Sequence, residues 1–300
     1  MDKLGNYCDP IWDDDGIVAS TSALKMEEPE FETGDGKNFN RSKMNVIEKL
    51  DRIVHELVET ETVFVKDLEN LIRTYVQPLQ VQLFLPPNDV NRLAASCASM
   101  LNFQKEFLEE LQEASSPCSE LEDDDGRAWS NRAGTRFPFR SAENLKYAIL
   151  RISCVFCNAA AKFKKYSPYC AIYLHIQTVL KIDQNLVLQK FLHSLNIKRE
   201  HSETFESYLI KPVQRILRYP LFLKEISSLC SSPAMMQALT KCQQQQRENN
   251  NQFYKYLLNK IKNACEKMEK VAEYINEMQR IYEQYGHLFD QAQCLYKSLR

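Results

Sequence analysis

An all-α fold, drawn out as an elongated bundle of about six long helices, is predicted by two features of this 300-residue sequence. The first is where glycine is absent: all seven fall at positions 5, 16, 34, 36, 126, 134 and 286, so 37–125 and 135–285 contain none. Strands closed by tight hairpins, or loops wrapped around phosphate, need glycine for positive φ angles, whereas long helices do not. The second is an apolar spacing of three and four residues sustained over several long windows, the mark of helices with one buried face. With 44% hydrophobic residues, the chain has material for a sizeable core.

Residues 1–43 carry ten acidic against five basic residues and four of the seven glycines, and are expected to form a disordered acidic tail. From Met44 to Leu79, the residues Leu50, Val54, Leu57, Phe64, Leu68, Ile72, Tyr75 and Leu79 predict one helix of about ten turns. Glu61 interrupts that stripe where an apolar residue is due, and a buried carboxylate must find a partner. After Pro86 and Pro87, a second helix is expected from about Asn88 to Glu113, capped by Asn88 or Asp89. Its inward residues are Val90, Leu93, Ala94, Cys97, Leu101, Phe107, Leu108 and Leu111. Residues 114–140 lose the period and read as an inserted loop. Ser141 then caps a packing helix through Leu145, Ile149, Ile152, Phe156 and Phe163. Tyr169–Leu195 supplies further helix, interrupted near Asp183, with His175 and His193 at surface positions.

The central stretch, Ser207–Glu225, reads SYLIKPVQRILRYPLFLKE. Leu209, Ile210, Val213, Ile216, Leu217, Leu221 and Leu223 mark a buried face, while Lys211, Gln214, Arg215 and Arg218 make a basic, amide-bearing one. Pro212 and Pro220 each delete a backbone donor, so a bend or break is expected at each. Arg215 lies beside the buried stripe and is the expected buried partner of Glu61. The Gln/Asn-rich tract 243–251 reads as loop or as a poorly packed helical arm. A last helix from about Phe253 is expected to end at Gly286, a natural C-cap, leaving 291–300 as an extension.

The chemistry excluded is as informative. A net charge of −2 argues against a general nucleic-acid binder. Ten scattered cysteines behind an opening MDKLGNYCDP suggest reduced thiols in the cytosol and a cytoplasmic protein. Cys154 and Cys157 form a lone CxxC in an apolar helical run, and no metal site is expected there. The run Tyr147–Phe163 is broken by Arg151, Asn158 and Lys162 and is short for a bilayer, so no direct membrane insertion is expected. There is no Walker loop and no nucleophile with a base beside it, so neither cofactor nor covalent chemistry is expected.

IKPVQRILRYPLFLKE, at 210–225, resembles the third conserved region of Dbl homology (DH) domains, which catalyse guanine-nucleotide exchange on Rho-family GTPases. HELVETETVFVKDL, at 55–68, resembles their first conserved region, with Phe64 in place of the usual tyrosine. VAEYINEMQRIYEQYGHLFDQ, at 271–291, is similar to the Tiam and Still life branch, whose members act on Rac. The resemblance implies residues 44–290 as a DH domain and a Rho-family GTPase as partner, with Rac favoured. It implies that Glu56 meets switch I, that Arg218 and Asn276 meet switch II, and that Gln214 adds a polar contact. Arg218 departs from the lysine common in that branch, keeping the charge but presenting a planar fork. His201, Ser207 and Ile210 match positions of that branch that touch the GTPase residue distinguishing Rac from Cdc42. The family usually carries a pleckstrin homology domain after the last helix, for which 291–300 are too few residues, so membrane recruitment is expected from other regions. The rival expectation is a helical module that keeps the fold and binds a GTPase without exchanging its nucleotide.

Overall fold

The computed structural model describes residues 45–116, 142–180, 185–195, 204–235 and 246–298. The expectations for the tail 1–43, most of the insert, the Ser141 cap, Asp183, His201 and residues 243–245 lie outside them. The described residues form helices and no strand: α1 (Val46–Asn70), α2 (Gln77–Gln80), α3 (Pro87–Ser115), α4 (Ala142–Ala159), α5 (Tyr166–Leu180), α6 (Leu186–Leu195), α7 (Phe205–Cys230) and α8 (Gln246–Ser298). Six of these run 15 residues or more. They pack as a bundle in which α1 lies on α3 and α7, α4 on α3 and α8, and α7 on both α1 and α8.

Helix α1 starts from a capping box, in which Asn45 Oδ1 accepts from the Ile47 amide and Glu48 accepts from the Asn45 amide. The single long helix expected to Leu79 is instead divided by a π-helical stretch, Leu71–Val76, ahead of α2. Pro78, with no N–H to donate, follows directly, and the widened turn still buries Leu71, Tyr75, Val76 and Leu79. At α3 neither Asn88 nor Asp89 caps: Pro86 takes the cap position and Pro87 the first turn. Asp89 is drawn aside to His175, 3.1 Å away, so His175 is half-buried and paired rather than a surface residue. The same helix outruns its expected end at Glu113, because Arg151 of α4 donates to the carbonyls of Ala114 and Ser116.

Helix α7 is not broken at either proline. Pro212 and Pro220 are buried in it, with Phe205, Leu209, Ile216, Tyr219, Leu223 and Ile226 around them, and Tyr169 Oη donates to the Leu209 carbonyl at 2.7 Å. Burying this much apolar surface outweighs a penalty of about 3 kcal/mol per helical proline. Nor does Gly286 end α8, which continues to Ser298 and takes in residues 246–251 of the polar tract. The glycine serves packing instead, since a Cβ there would meet the Tyr282 ring at 3.0 Å. The centre of the bundle is a ring cluster: Phe103, Phe107, Phe156, Phe163 and Tyr219 meet edge-on or tilted, with neighbouring centroids 4.9–6.1 Å apart.

Among the described residues no His/Cys/Asp/Glu group has metal-site geometry, and no helix is long and apolar enough to cross a membrane. Burial pushes the thiols of Cys97, Cys170 and Cys230 up to about 12. The unfolded chain gives up these protons near the ordinary thiol value of about 8.5, whereas the folded chain holds them. Stability is therefore full below that value and falls as pH rises towards 12. Thermal melts should shift down steadily above about pH 9, and an aromatic disulfide reagent at pH 8 should label these three thiols only as the chain unfolds. Rapid labelling of all three in the folded state would contradict their burial.

Candidate functional site

Glu61 and Arg215 meet at the junction of α1 and α7, with side chains 0% and 4% exposed. Arg215 Nη2 and Nε donate to Glu61 Oε2 at 2.6 and 2.9 Å. Its remaining donors reach Thr60 Oγ1 at 3.0 Å and the Leu57 carbonyl at 3.3 Å, and the guanidinium carbon lies 5.0 Å from the centre of the Tyr219 ring. Tyr219 Oη donates to the Glu61 carboxylate, and Gln104 of α3 donates to both Glu61 Oε1 and Tyr219 Oη. Tyr166 Oη of α5 donates to Gln104 Oε1 at 2.8 Å. Burial first, then the charge of Glu61, pushes the Tyr219 phenol well above its ordinary value, so it serves as a neutral donor. One carboxylate thus fastens four helices.

This network sets what the surface above it displays. Thr60 Oγ1 accepts from Arg215 and donates to the Glu56 carbonyl at 2.7 Å, coupling the buried pair to the turn that carries Glu56. Lys211 Nζ meets Asp67 Oδ2 at 2.7 Å while Arg215 and Tyr219 meet Glu61, so α1 and α7 run antiparallel. On α1 the residues Glu56, Thr60, Val63 and Asp67 share the edge bordering α7. In that register Glu56 falls level with the part of α7 about one turn beyond Arg218.

On α7, Arg215 faces α1 and Lys224 faces α8, where it meets Glu269 at 2.9 Å. Between these sides lies one stripe, Ser207, Ile210, Gln214, Arg218, Leu221 and Glu225, with Ser207 and Ile210 half-buried and the rest exposed. Lys224 meets Glu269 while Tyr254 Oη, nearer the start of α8, donates to the Cys230 carbonyl, nearer the end of α7, so α7 and α8 are also antiparallel. Counted from the Lys224–Glu269 pair, seven residues along each helix, Asn276 comes near the level of Leu217. Asn276 is half-buried and in line with Cys265 and Glu269, on the edge of α8 that borders α7. Glu56, Gln214, Arg218 and Asn276 therefore border one face built by three helices. None of the four makes a side-chain hydrogen bond or ion pair among the described residues.

Sequence reasoning missed Gln104, Tyr166 and Tyr219 as members of the network. The signal for Gln104 was present: it stands at helical spacing between Cys97, Met100, Phe107 and Leu111, a polar residue on a buried stripe. The two tyrosines are indistinguishable in sequence from ordinary core aromatics.

Residues 53–253 match the RhoGEF domain. The chain is 37% identical over 245 residues, 81% of its length, to the Rho guanine nucleotide exchange factor TIAM2 of Homo sapiens. It is 36% identical over 244 residues to the Drosophila melanogaster protein still life, isoform SIF type 1, again over 81% of its length. It spans 12% and 10% of those relatives' own lengths. An activated truncation of Vav1 in its apo form shares the fold with a TM-score of 0.57 at 20% identity, covering 83% of this chain and 51% of that one. The DH/PH domains of p115-RhoGEF do so with a TM-score of 0.55 at 17% identity, covering 84% and 57%.

Replacing Glu61 by Gln removes the charge and turns an amide donor towards Arg215, Gln104 and Tyr219. Breaking a buried pair costs about 3–5 kcal/mol, so the melting temperature should fall by on the order of 10 °C. Glu56→Gln, at an exposed position, should leave it unchanged; equal melting of both variants would refute the role given to Glu61.

Proposed function

The chain belongs to the RhoGEF domain family, and we propose that it accelerates GDP release from a Rho-family GTPase, Rac in preference to Cdc42 or RhoA. The observation that carries this reading is the face shared by α1, α7 and α8, which gathers an exposed carboxylate, a guanidinium and two amides with no partner among the described residues. Buried ions are usually paired, and exposed polar groups lined up without partners suit a surface that takes its partner from another molecule.

The task needs no covalent chemistry. A GTPase holds its nucleotide through loops ordered by phosphate and magnesium, and a protein that binds the emptied arrangement more tightly weakens the nucleotide by the same coupling free energy. In this reading Glu56 draws switch I from the nucleotide. Arg218, with a fork suited to two parallel hydrogen bonds, and Asn276 hold switch II where it occludes the magnesium site, with Gln214 beside them. Discrimination rests with Ser207 and Ile210 at the end of the α7 stripe, together with His201. The 36–37% identity to TIAM2 and Still life over 81% of the chain supports Rac as substrate. In this reading the protein works in the cytoplasm.

Release of a fluorescent GDP analogue from Rac, RhoA and Cdc42 tests the proposal, with the largest acceleration expected for Rac. Capture of nucleotide-free Rac with no acceleration would replace it with a GTPase-binding scaffold. Asn276→Ala should slow release by about 10- to 150-fold, the worth of one hydrogen bond to a charged group, with an unchanged melting temperature.

A further inference from the structure

Each of the two helices that flank the buried ion pair leaves one large apolar side chain in solvent: Val63 on α1, 52% exposed, and Leu221 on α7, 44% exposed. Single exposed apolar residues are ordinary, and their position is what informs. Val63 lies on the α1 edge with Glu56, Thr60 and Asp67, and the antiparallel register sets it level with Gln214. Leu221 continues the α7 stripe one turn past Arg218 and comes level with Glu56. In level, Arg218 therefore lies between two exposed apolar residues, each offset by about one helical turn: Leu221 on its own helix and Val63 across on α1.

Resting on the exchange-factor reading above, we infer that Val63 and Leu221 are apolar contacts for the GTPase that close around Arg218 and exclude water from its bond. Such a bond strengthens as local dielectric falls, and energetically dominant contacts at interfaces are ringed by groups whose main service is to keep water out. A charged fork left in open water would contribute little. The occupant is thus a surface that brings an acceptor for Arg218 with an apolar side chain on either side of it.

Affinity for nucleotide-free Rac, measured beside GDP release, tests this even in variants with little turnover. Val63→Ala and Leu221→Ala should each weaken binding about tenfold and slow release in step, with unchanged melting temperatures. Val63→Ile should restore both. On an Arg218→Ala background either truncation should cost less than about threefold, because there is no longer a bond to keep dry. Truncations that change affinity less than twofold, or whose effects multiply in full with Arg218→Ala, overturn the inference while leaving the exchange reading intact. A wild-type chain that neither accelerates release nor captures any emptied Rho-family GTPase overturns both.

Discussion

Glu61 has no water to turn to. Its carboxylate is fully buried, and it exists there only because Arg215, Tyr219 and Gln104 supply donors from α7 and α3. Exchanging such an arrangement for well-packed apolar residues often leaves stability unharmed, so stability alone does not explain it. Register is the better explanation. Apolar helix faces tolerate sliding by a turn, whereas a fork that must meet one carboxylate, one hydroxyl and one carbonyl at once fits in a single alignment. That alignment decides which residues of α1 and α7 stand beside each other at the surface.

The proposed functional face follows from the same constraint. Arg215 and Arg218 are three residues apart on one helix and have opposite roles, because the first points to α1 and the second to solvent. Thr60 joins the two levels, accepting from the buried guanidinium and donating to the backbone of the turn bearing Glu56. On the far side, α7 packs against α8 through buried apolar residues, and the exposed Lys224–Glu269 pair marks their register. A rigid scaffold of this kind holds the backbone bearing these exposed side chains in place, so that a binding event would order the side chains alone.

Much of this was legible in the sequence, for identifiable reasons. Helices were readable from the missing glycines and the three-and-four spacing, and Glu61 announced itself as a gap in a stripe. What was not legible depended on tertiary packing. Pro212 and Pro220 looked like helix breakers because their cost is local, while the burial that offsets it comes from α5 and the ring cluster. Gly286 looked like a stop because glycine often is one, yet its role is to admit the Tyr282 ring. Pro86 displaced Asn88 and Asp89 as cap, and Asp89 was taken by His175, a partner 86 positions away. Leu221 was expected on the buried face of α7 and is instead uncovered, and Val63 could not be picked out, since spacing tells which residues are apolar but not which are left uncovered.

On the proposed function, one face of α1, α7 and α8 prefers an emptied G protein to a loaded one. The most direct measurement is a pair of equilibrium dissociation constants for this chain, one with magnesium- and GDP-loaded Rac and one with Rac stripped of both. Binding to the stripped form should be tighter by at least about a hundredfold, with the difference shrinking when Glu56 or Asn276 is replaced by alanine. Equal constants for the two forms would contradict it, because a ligand that does not distinguish two states cannot shift the balance between them.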